Sequence, residues 1–362
     1  MTGAKRVIIT GGGTGGHLFP GIALANGLQK EISDCRIMFI GTRRQLDREA
    51  LADYDFQLKS IACMGLKGKG MLSRLKSLFL LPGALLEAGR IILQCKPDFV
   101  FGVGGYVTGP VLLAAKLLGV ATYIHEQNSV PGLANRMISR FVDKVFVSIP
   151  GDYCFAPAKT VVTGNPVRQE IIDAAEIEKK FNKERLTILV LGGSLGAHRI
   201  NLLMVEAMEK IRSIPGLSVQ VIHQTGRTDE ERVRAGYAAL GISAEVAAFF
   251  QDMASLYTRA DMVVARAGAT TLAELSVMGL GALLIPYPHA ADDHQAKNAQ
   301  YYVNGGGCIM FREAALDGEQ LADALIEVLL SPERMQRMAA NMKKMGRPEA
   351  TQLILDHCLS GS

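Results

Sequence analysis

Val7-Ile8-Ile9-Thr10-Gly11-Gly12-Gly13-Thr14-Gly15-Gly16-His17 is a short apolar run that turns through glycines into a segment reading as a helix. A second stretch of the same design, Ile188-Leu189-Val190-Leu191-Gly192-Gly193-Ser194-Leu195-Gly196-Ala197-His198, follows about half a chain later. A strand that turns through glycines into a helix N-terminus bares backbone N–H groups and the positive end of the helix dipole, which makes an anion site, usually for phosphate. Taken singly, either loop is also the least strained way to build a tight βα corner. Neither matches GxxxxGK[ST], because no Lys occupies the required place. The first is a poor dinucleotide fingerprint too. Its helix begins with His17, and Asp34, the nearest acid after Glu31, precedes the second strand instead of ending it. Two copies point instead to an α/β chain of two Rossmann-like domains whose parallel sheets face a central cleft. That arrangement suits a transferase more than a dehydrogenase.

Outward from these loops, apolar runs alternate with amphipathic stretches, the pattern of parallel sheets covered by helices. Strands are expected near Arg6–Thr10, Arg36–Ile40, Phe99–Val103, Thr122–His125, Lys144–Ser148 and Thr160–Thr163. In the second half they fall near Thr187–Leu191, Ser218–His223, Ala244–Phe249, Met262–Ala265, Ala282–Pro286 and Cys308–Phe311. The domains read as 1–172 and 186–347, joined by a polar link over 173–185. A last helical segment, 348–362, follows the Gly346-Arg347-Pro348 break and is expected to pack back toward the first domain.

At 362 residues, 49% hydrophobic and 20% charged, the composition is that of an ordinary globular protein. The six cysteines are scattered without a CxxC pair and read as reduced thiols of a cytoplasmic protein. The N-terminus runs from polar residues straight into a strand, so no secretory signal is expected. The longest uncharged runs, Phe99–Ala115 and Leu275–Ala291, are 17 residues each and carry Gly and Pro, so neither suits a membrane span. Residues 1–164 hold 19 Lys/Arg against 11 Asp/Glu, and the remainder 20 against 24. A basic first half suggests an anionic partner, either a membrane surface or nucleic acid. With no Trp and no basic run interleaved with aromatics, nucleic acid is not expected as a partner.

One stretch breaks the alternation. Leu66–Leu86 sets Lys67, Lys69, Arg74 and Lys76 beside Met71, Leu72, Leu75, Leu78, Phe79, Leu80 and Leu81. Before Pro82 its apolar residues recur at helical spacing, leaving one apolar face with a basic flank. Either this is a core-facing helix with a solvated edge, or it is an interfacial contact with the anionic cytoplasmic membrane surface. In the second case each cation contributes on the order of 1 kcal/mol.

His17 stands where the first loop meets its helix, so the dipole disfavours imidazolium and helps keep the ring neutral. A neutral histidine beside an anion site can take a proton from a hydroxyl nucleophile. It can equally serve only to bond the loop. His125-Glu126-Gln127-Asn128 ends a strand, where open parallel sheets place their ligand crevice. Four buried polar side chains in a row are costly, so they are expected to be solvated or to line that crevice. Arg266-Ala267-Gly268-Ala269-Thr270-Thr271-Leu272-Ala273-Glu274 again joins a strand to a helix. Its N-terminus can hold phosphate, and Glu274 can accept from ribose hydroxyls or sit as a plain surface acid. Gln295 and Asn298, three apart on one helix, can read a sugar's hydroxyl pattern. Metal ligation is not expected: Asp53-Tyr54-Asp55 reads as a surface turn, and Asp292, Asp293 and His294 are consecutive and point to different faces.

The ordered set GGGTGGH (Gly11–His17), HEQN (His125–Asn128), GNPVR (Gly164–Arg168), GGSLGAHRIN (Gly192–Asn201), RAGATTLAEL (Arg266–Leu275) and DHQAKNA (Asp293–Ala299) resembles one family end to end. These are the bacterial glycosyltransferases that move N-acetylglucosamine from UDP-N-acetylglucosamine onto undecaprenyl-diphospho-muramyl-pentapeptide, lipid I, to form lipid II for peptidoglycan. The resemblance implies the two-Rossmann GT-B fold, inversion at the anomeric carbon, no metal and no cofactor. It also implies docking on the cytoplasmic face of the inner membrane. By motif it implies Thr14, Gly15 and Gly16 for the phosphate loop, and Asn128, Arg168 and Ser194 as donor contacts. Phe250 would lie near the uracil, Ala269, Thr270, Thr271, Leu272, Ala273 and Glu274 around the diphosphate and ribose, and Gln295 at the sugar. His17 resembles the family's base, with His125 and Glu126 as rivals. A GT-B transferase with another lipid acceptor, such as a diacylglycerol galactosyltransferase, is disfavoured by HEQN and GNPVR. A UDP-N-acetylglucosamine epimerase would bind the same donor yet would not need the basic, apolar arm.

Overall fold

A computed structural model of the chain describes residues 5–12, 15–42, 48, 51–52, 54–63, 71–177, 184–193 and 196–360, with Gly15 and 71–80 as helix backbone. The chain folds as two compact units, Met1–Arg168 with Pro348–Ser362, and Gln169–Arg347. The first boundary thus falls after Arg168, not after position 172. The expected link is in part the helix Gln169–Ala174, which belongs to the second unit.

The first unit is built on a seven-stranded sheet in the order β3-β2-β1-β4-β5-β6-β7. Its strands are β1 Lys5–Gly11, β2 Cys35–Gly41, β3 Gln57–Ser60, β4 Phe99–Gly104, β5 Ala121–Glu126, β6 Lys144–Val147 and β7 Thr160–Val162. Every neighbouring pair is parallel. Both faces are covered, which is why the strands read as near-continuous apolar runs. Val7 and Ile9 pack with Leu24 and Leu28 of the helix Gly15–Glu31 and with Ile354, Leu355 and Cys358 of the helix Ala350–Leu359. Ile8 points to the other face, among Ala84, Ala88, Ile91 and Ile92 of the helix Met71–Cys95 and Val111 and Leu112 of the helix Thr108–Leu117.

Two features depart from expectation. β3 has only Leu58 as an apolar residue, so no run announces it, and it forms at the sheet edge through its pairing with β2. The helix Met71–Cys95 runs through Pro82. An interior proline removes one ladder bond, but Ala84, Ala88, Ile91 and Ile92, at i, i+4, i+7 and i+8, bury one face and carry the helix onward.

The second unit repeats the plan with six parallel strands in the order β10-β9-β8-β11-β12-β13. They are β8 Leu186–Leu191, β9 Val219–Gln224, β10 Ala244–Ala247, β11 Met262–Ala265, β12 Ala282–Leu284 and β13 Cys308–Met310. Ile188 and Val190 bury against Leu203, Met204 and Ala207 of the helix His198–Ile211 and Leu321, Leu325 and Val328 of the helix Gly318–Leu329. The strand order reverses beside β1 in one sheet and beside β8 in the other. Open α/β sheets hold ligands outside the carboxyl ends of their strands at such a switch point. Gly11-Gly12 and Gly192-Gly193, the first glycines of the two loops, lie there.

Candidate active site

In the first unit the switch point separates β1 from β4, and their register shifts between Thr10 and Gly11 as the strands end. The carboxyl end of β4 carries a glycine turn that motif reading overlooked. Gly104 and Gly105 have φ of +99° and +87°, a region that side chains rarely tolerate. A Cβ on Gly105 would lie 2.6 Å from the carbonyl oxygen of Gly12, so the two loops interlock backbone to backbone. A Cβ on Gly104 would lie 2.9 Å from Cδ2 and 3.2 Å from Nε2 of His17. The half-buried His17 ring therefore rests across the switch point on a bare backbone. The sequence signal was the apolar run Phe99–Val103 followed by two glycines.

His125, Glu126 and Gln127 are all buried, and most of their polar atoms are bonded to one another, to Asn128 and Asn135, and to backbone. His125 Nε2 lies 3.0 Å from the Gly164 carbonyl, which can only accept, so this nitrogen carries the proton. Nδ1, 3.1 Å from the Gln127 amide nitrogen, is then the acceptor. Burial pushes this imidazole down to about 4, against the opposing pull of the Gly164 bond. Both nitrogens of the neutral ring are occupied. Glu126 is equally engaged: Oε1 accepts from N and Nδ2 of Asn128 at 3.0 and 3.2 Å, and Oε2 from the Gly132 N–H at 3.0 Å and Asn135 Nδ2 at 2.8 Å. The polar atoms of both rivals for the base are thus taken up by bonds within their own loop and to the Gly164 carbonyl. Of the three candidates, His17 alone is partly exposed.

Gly16 is exposed at the start of the first helix; Gly15 is described only as helix backbone, and Thr14 lies outside the described residues. Asn128 is half-buried on the Glu126 carboxylate. The Arg168 guanidinium stacks 4.9 Å from the Phe19 ring centroid, two residues beyond His17.

In the second unit Ser194 lies outside the described residues. Gln224, at the end of β9, was missed and organises this loop. Its Nε2 donates to the Gly193 carbonyl at 3.2 Å, and its Oε1 accepts the Phe250 N–H at 3.1 Å. His198 takes a different role from its counterpart His17. It is exposed and pairs with Asp229 at 2.9 Å. Against the burial that would raise it, bonds from His198 and Asn201 hold the Asp229 carboxyl below its usual range.

Ala269, Thr270 and Thr271 form the half-buried tip of the helix Ala269–Met278, behind an extended Gly268 that brings no capping side chain. The first-turn N–H groups of a helix have no intrahelical acceptor and favour an anion. Leu272 does not belong with them. Its side chain is in the core and its N–H is bonded to the Gly268 carbonyl at 2.9 Å. Ala273 is also buried. Glu274 is buried with Oε2 accepting from the Tyr257 hydroxyl at 2.7 Å, so it is no surface acid. Gln295 Oε1 accepts the Tyr287 N–H at 2.9 Å. Asn298 is fully buried and braces the Ala267 carbonyl at 3.4 Å, away from any sugar-reading face.

Arg266 is pinned beneath this tip by the Ile285 and Pro286 carbonyls at 3.0 and 3.2 Å and by Glu313 at 2.5 Å. Its partner Glu313 sits on a distant segment and gave no sequence signal. Asp293 is held by a two-pronged bond from Arg312, 2.8 Å on each arm. Among the described residues no three His, Cys, Asp or Glu side chains are grouped to hold a metal ion.

A model of the glycosyltransferase family 28 N-terminal domain matches residues 7–147, and one of the family's C-terminal domain matches 187–354. The chain belongs to glycosyltransferase family 28. A family-28 relative from Desulfotalea psychrophila is 46% identical over 358 residues, 99% of this chain and 97% of its own. It is named UDP-N-acetylglucosamine–N-acetylmuramyl-(pentapeptide) pyrophosphoryl-undecaprenol N-acetylglucosamine transferase. The crystal structure of Acinetobacter baumannii MurG matches with a TM-score of 0.78 at 32% identity, covering 98% of this chain and 99% of that one. A putative UDP-N-acetylglucosamine 2-epimerase from Listeria monocytogenes matches at 0.66 and 16% identity, covering 97% and 95%. That last likeness shows only that family 28 shares its fold with proteins of other chemistry.

Proposed function

We propose that this family-28 enzyme transfers N-acetylglucosamine from UDP-N-acetylglucosamine to the 4-hydroxyl of the muramyl sugar of undecaprenyl-diphospho-muramyl-pentapeptide. The observation that carries the mechanism is His17, a partly exposed imidazole seated on Gly104 at the switch point of the first sheet. Its ring takes the hydroxyl proton as that oxygen attacks C1 of the donor sugar. The C1–oxygen bond to the diphosphate breaks with its electron pair going to UDP, and the anomeric carbon inverts. The donor side belongs to the second unit. The tip of the helix Ala269–Met278 takes the diphosphate, Glu274 the ribose hydroxyls and Gln295 the sugar, with Phe250 beside the uracil. Charge on the departing diphosphate is met by helix-tip N–H groups, without a metal.

The enzyme reaches its lipid-linked acceptor as a peripheral protein of the cytoplasmic membrane face. Among the described residues no helix is long and apolar enough to cross a membrane. What supports surface docking is the outer side of one helical layer of the first unit. Leu86 is 64% exposed, Leu93 60%, Met137 58% and Phe141 52%. Arg136 and Arg140 stand among them in sequence. Lys67 and Lys69 fall outside the described residues, and the side chains of Leu72, Arg74, Leu75, Lys76 and Phe79 are likewise not described.

One assay tests the reaction. The protein is incubated with UDP-N-acetylglucosamine labelled in the sugar and a lipid I analogue, and label is followed into the lipid fraction. Label that stays water-soluble, or is released as free sugar, defeats the assignment.

A further inference from the structure

Gln127 has a place in the reaction that its burial hides. Its amide orientation is dictated by two neighbours. Nε2 donates to the Val103 carbonyl at 2.8 Å and to His125 Nδ1 at 3.1 Å, and that nitrogen must accept because the ring's proton lies toward Gly164. The amide cannot flip without setting its oxygen against two acceptors. Oε1 therefore has one direction left. It is buried and accepts no hydrogen bond among the described residues. A point one Cβ length out from Gly104 lies 3.6 Å from this oxygen and 3.2 Å from His17 Nε2, so the two atoms flank the same bare backbone. A buried acceptor left open is rare in folded proteins and calls for an explanation.

We propose that Gln127 is the positioning residue for His17, with its Oε1 accepting the Nε2–H of that ring during transfer. The inference rests on His17 being the base. In the neutral ring the proton sits on Nε2, toward Gln127, and Nδ1 carries the lone pair. Nδ1 takes the acceptor hydroxyl's proton as the new glycosidic bond forms and UDP departs. The imidazolium keeps its Nε2–H on Gln127 until Nδ1 returns its proton to solvent. Gly164, His125 and Gln127 thus form a chain of fixed hydrogen bonds whose free end sets the tautomer of the base. The titratable and charged groups around the pair are His125, bound to the amide nitrogen; Glu126, engaged by Asn128, Gly132 and Asn135; and Arg168, stacked on Phe19.

The test compares Gln127→Met, which removes both amide atoms at similar volume, with Gln127→Glu, which keeps an acceptor and makes it anionic. kcat is measured against pH with UDP-N-acetylglucosamine and a lipid I analogue, together with the donor KM. The acid limb of kcat reports the base, which works only when neutral. Gln127→Met is expected to lower kcat about tenfold at unchanged donor KM and to move the acid limb to lower pH, because imidazolium loses its acceptor. Gln127→Glu is expected to move that limb about one pH unit upward, as a carboxylate favours the charged ring. In a His17→Ala background, Gln127→Met should have no further effect on the residual rate. Unshifted limbs in both variants, or an undiminished effect of Gln127→Met without His17, overturn the proposal. A fully active His17→Ala defeats the base assignment itself, a separate outcome. Should Gln127→Met lose its thermal transition, the direction of the Gln127→Glu shift decides alone.

Discussion

Asn135 Nδ2 donates to Glu126 Oε2 at 2.8 Å, and it is one of four donors converging on this buried carboxylate. The carboxylate is thus the hub around which the HEQN loop folds. Replacing Glu126 by Gln puts an NH2 group where donors already point. Each buried donor left open costs about 1–3 kcal/mol, so the thermal midpoint should fall by roughly 3–10 °C. An unchanged midpoint would show that the loop holds without the charge.

His17→Ala should lower kcat by about 100- to 10,000-fold while leaving the donor KM near normal, the signature of a lost general base. The same steady-state assay run on the wild type with a chelator checks the leaving-group mechanism. A strict requirement for magnesium would replace helix-tip stabilisation by metal catalysis.

Glu274→Ala should weaken UDP-N-acetylglucosamine binding by about 1.5–3 kcal/mol, the range for losing a charged hydrogen-bond partner. Tyr257→Phe removes the hydroxyl that donates to this carboxylate at 2.7 Å, and should cost less, about 0.5–1.5 kcal/mol. Titration calorimetry measures both. Equal donor affinity in wild type and Glu274→Ala would sink the ribose contact.

Two buried histidines make folding pH-dependent. Burial pushes His125 to about 4 and His223 to about 3, and an unfolded chain restores each to its ordinary value near 6.5. Between these values the unfolded state binds more protons, so stability rises with pH across the window and is lost as pH falls from about 6.5 toward 4. The slope should approach about 1.4 kcal/mol per pH unit for each histidine. Denaturant unfolding at stepped pH measures it. A flat profile from 6.5 to 4 contradicts the neutral, buried state of these rings.

Binding to anionic vesicles should weaken with salt, and Lys67, Lys69, Arg74 and Lys76 changed together to Gln should release the protein from them, with UDP-N-acetylglucosamine binding unchanged. Co-sedimentation at the wild-type level would move the contact away from this stretch, toward the exposed Leu93, Met137 and Phe141.

Strands packed on both faces were the most legible part of the sequence, since Val7-Ile8-Ile9 and Ile188-Leu189-Val190 must be apolar throughout. β3 was silent because an edge strand with only Leu58 apolar carries no such demand. His17 stands out as a candidate in the sequence because a titratable ring beside glycines is unusual. How His125 and Glu126 are bonded was not legible, because a polar run looks the same in sequence whether it faces a ligand or bonds to itself. The position of Gly164, brought alongside by β7, and the donors of Asn128, Gly132 and Asn135 separate the two. Gln224 and Glu313 act through backbone carbonyls and a distant arginine, and such contacts leave no pattern along the chain.

The helix Ala350–Leu359 belongs to the first unit, yet a ribosome makes it after every residue of the second. A nascent chain that has just finished β7 holds a sheet whose surface over Leu24 and Leu28 still lacks Ile354, Leu355 and Cys358. That surface stays open through the synthesis of Gln169–Arg347. The domain begun first is therefore completed last, and a chain released early exposes its own N-terminal core to proteases and chaperones.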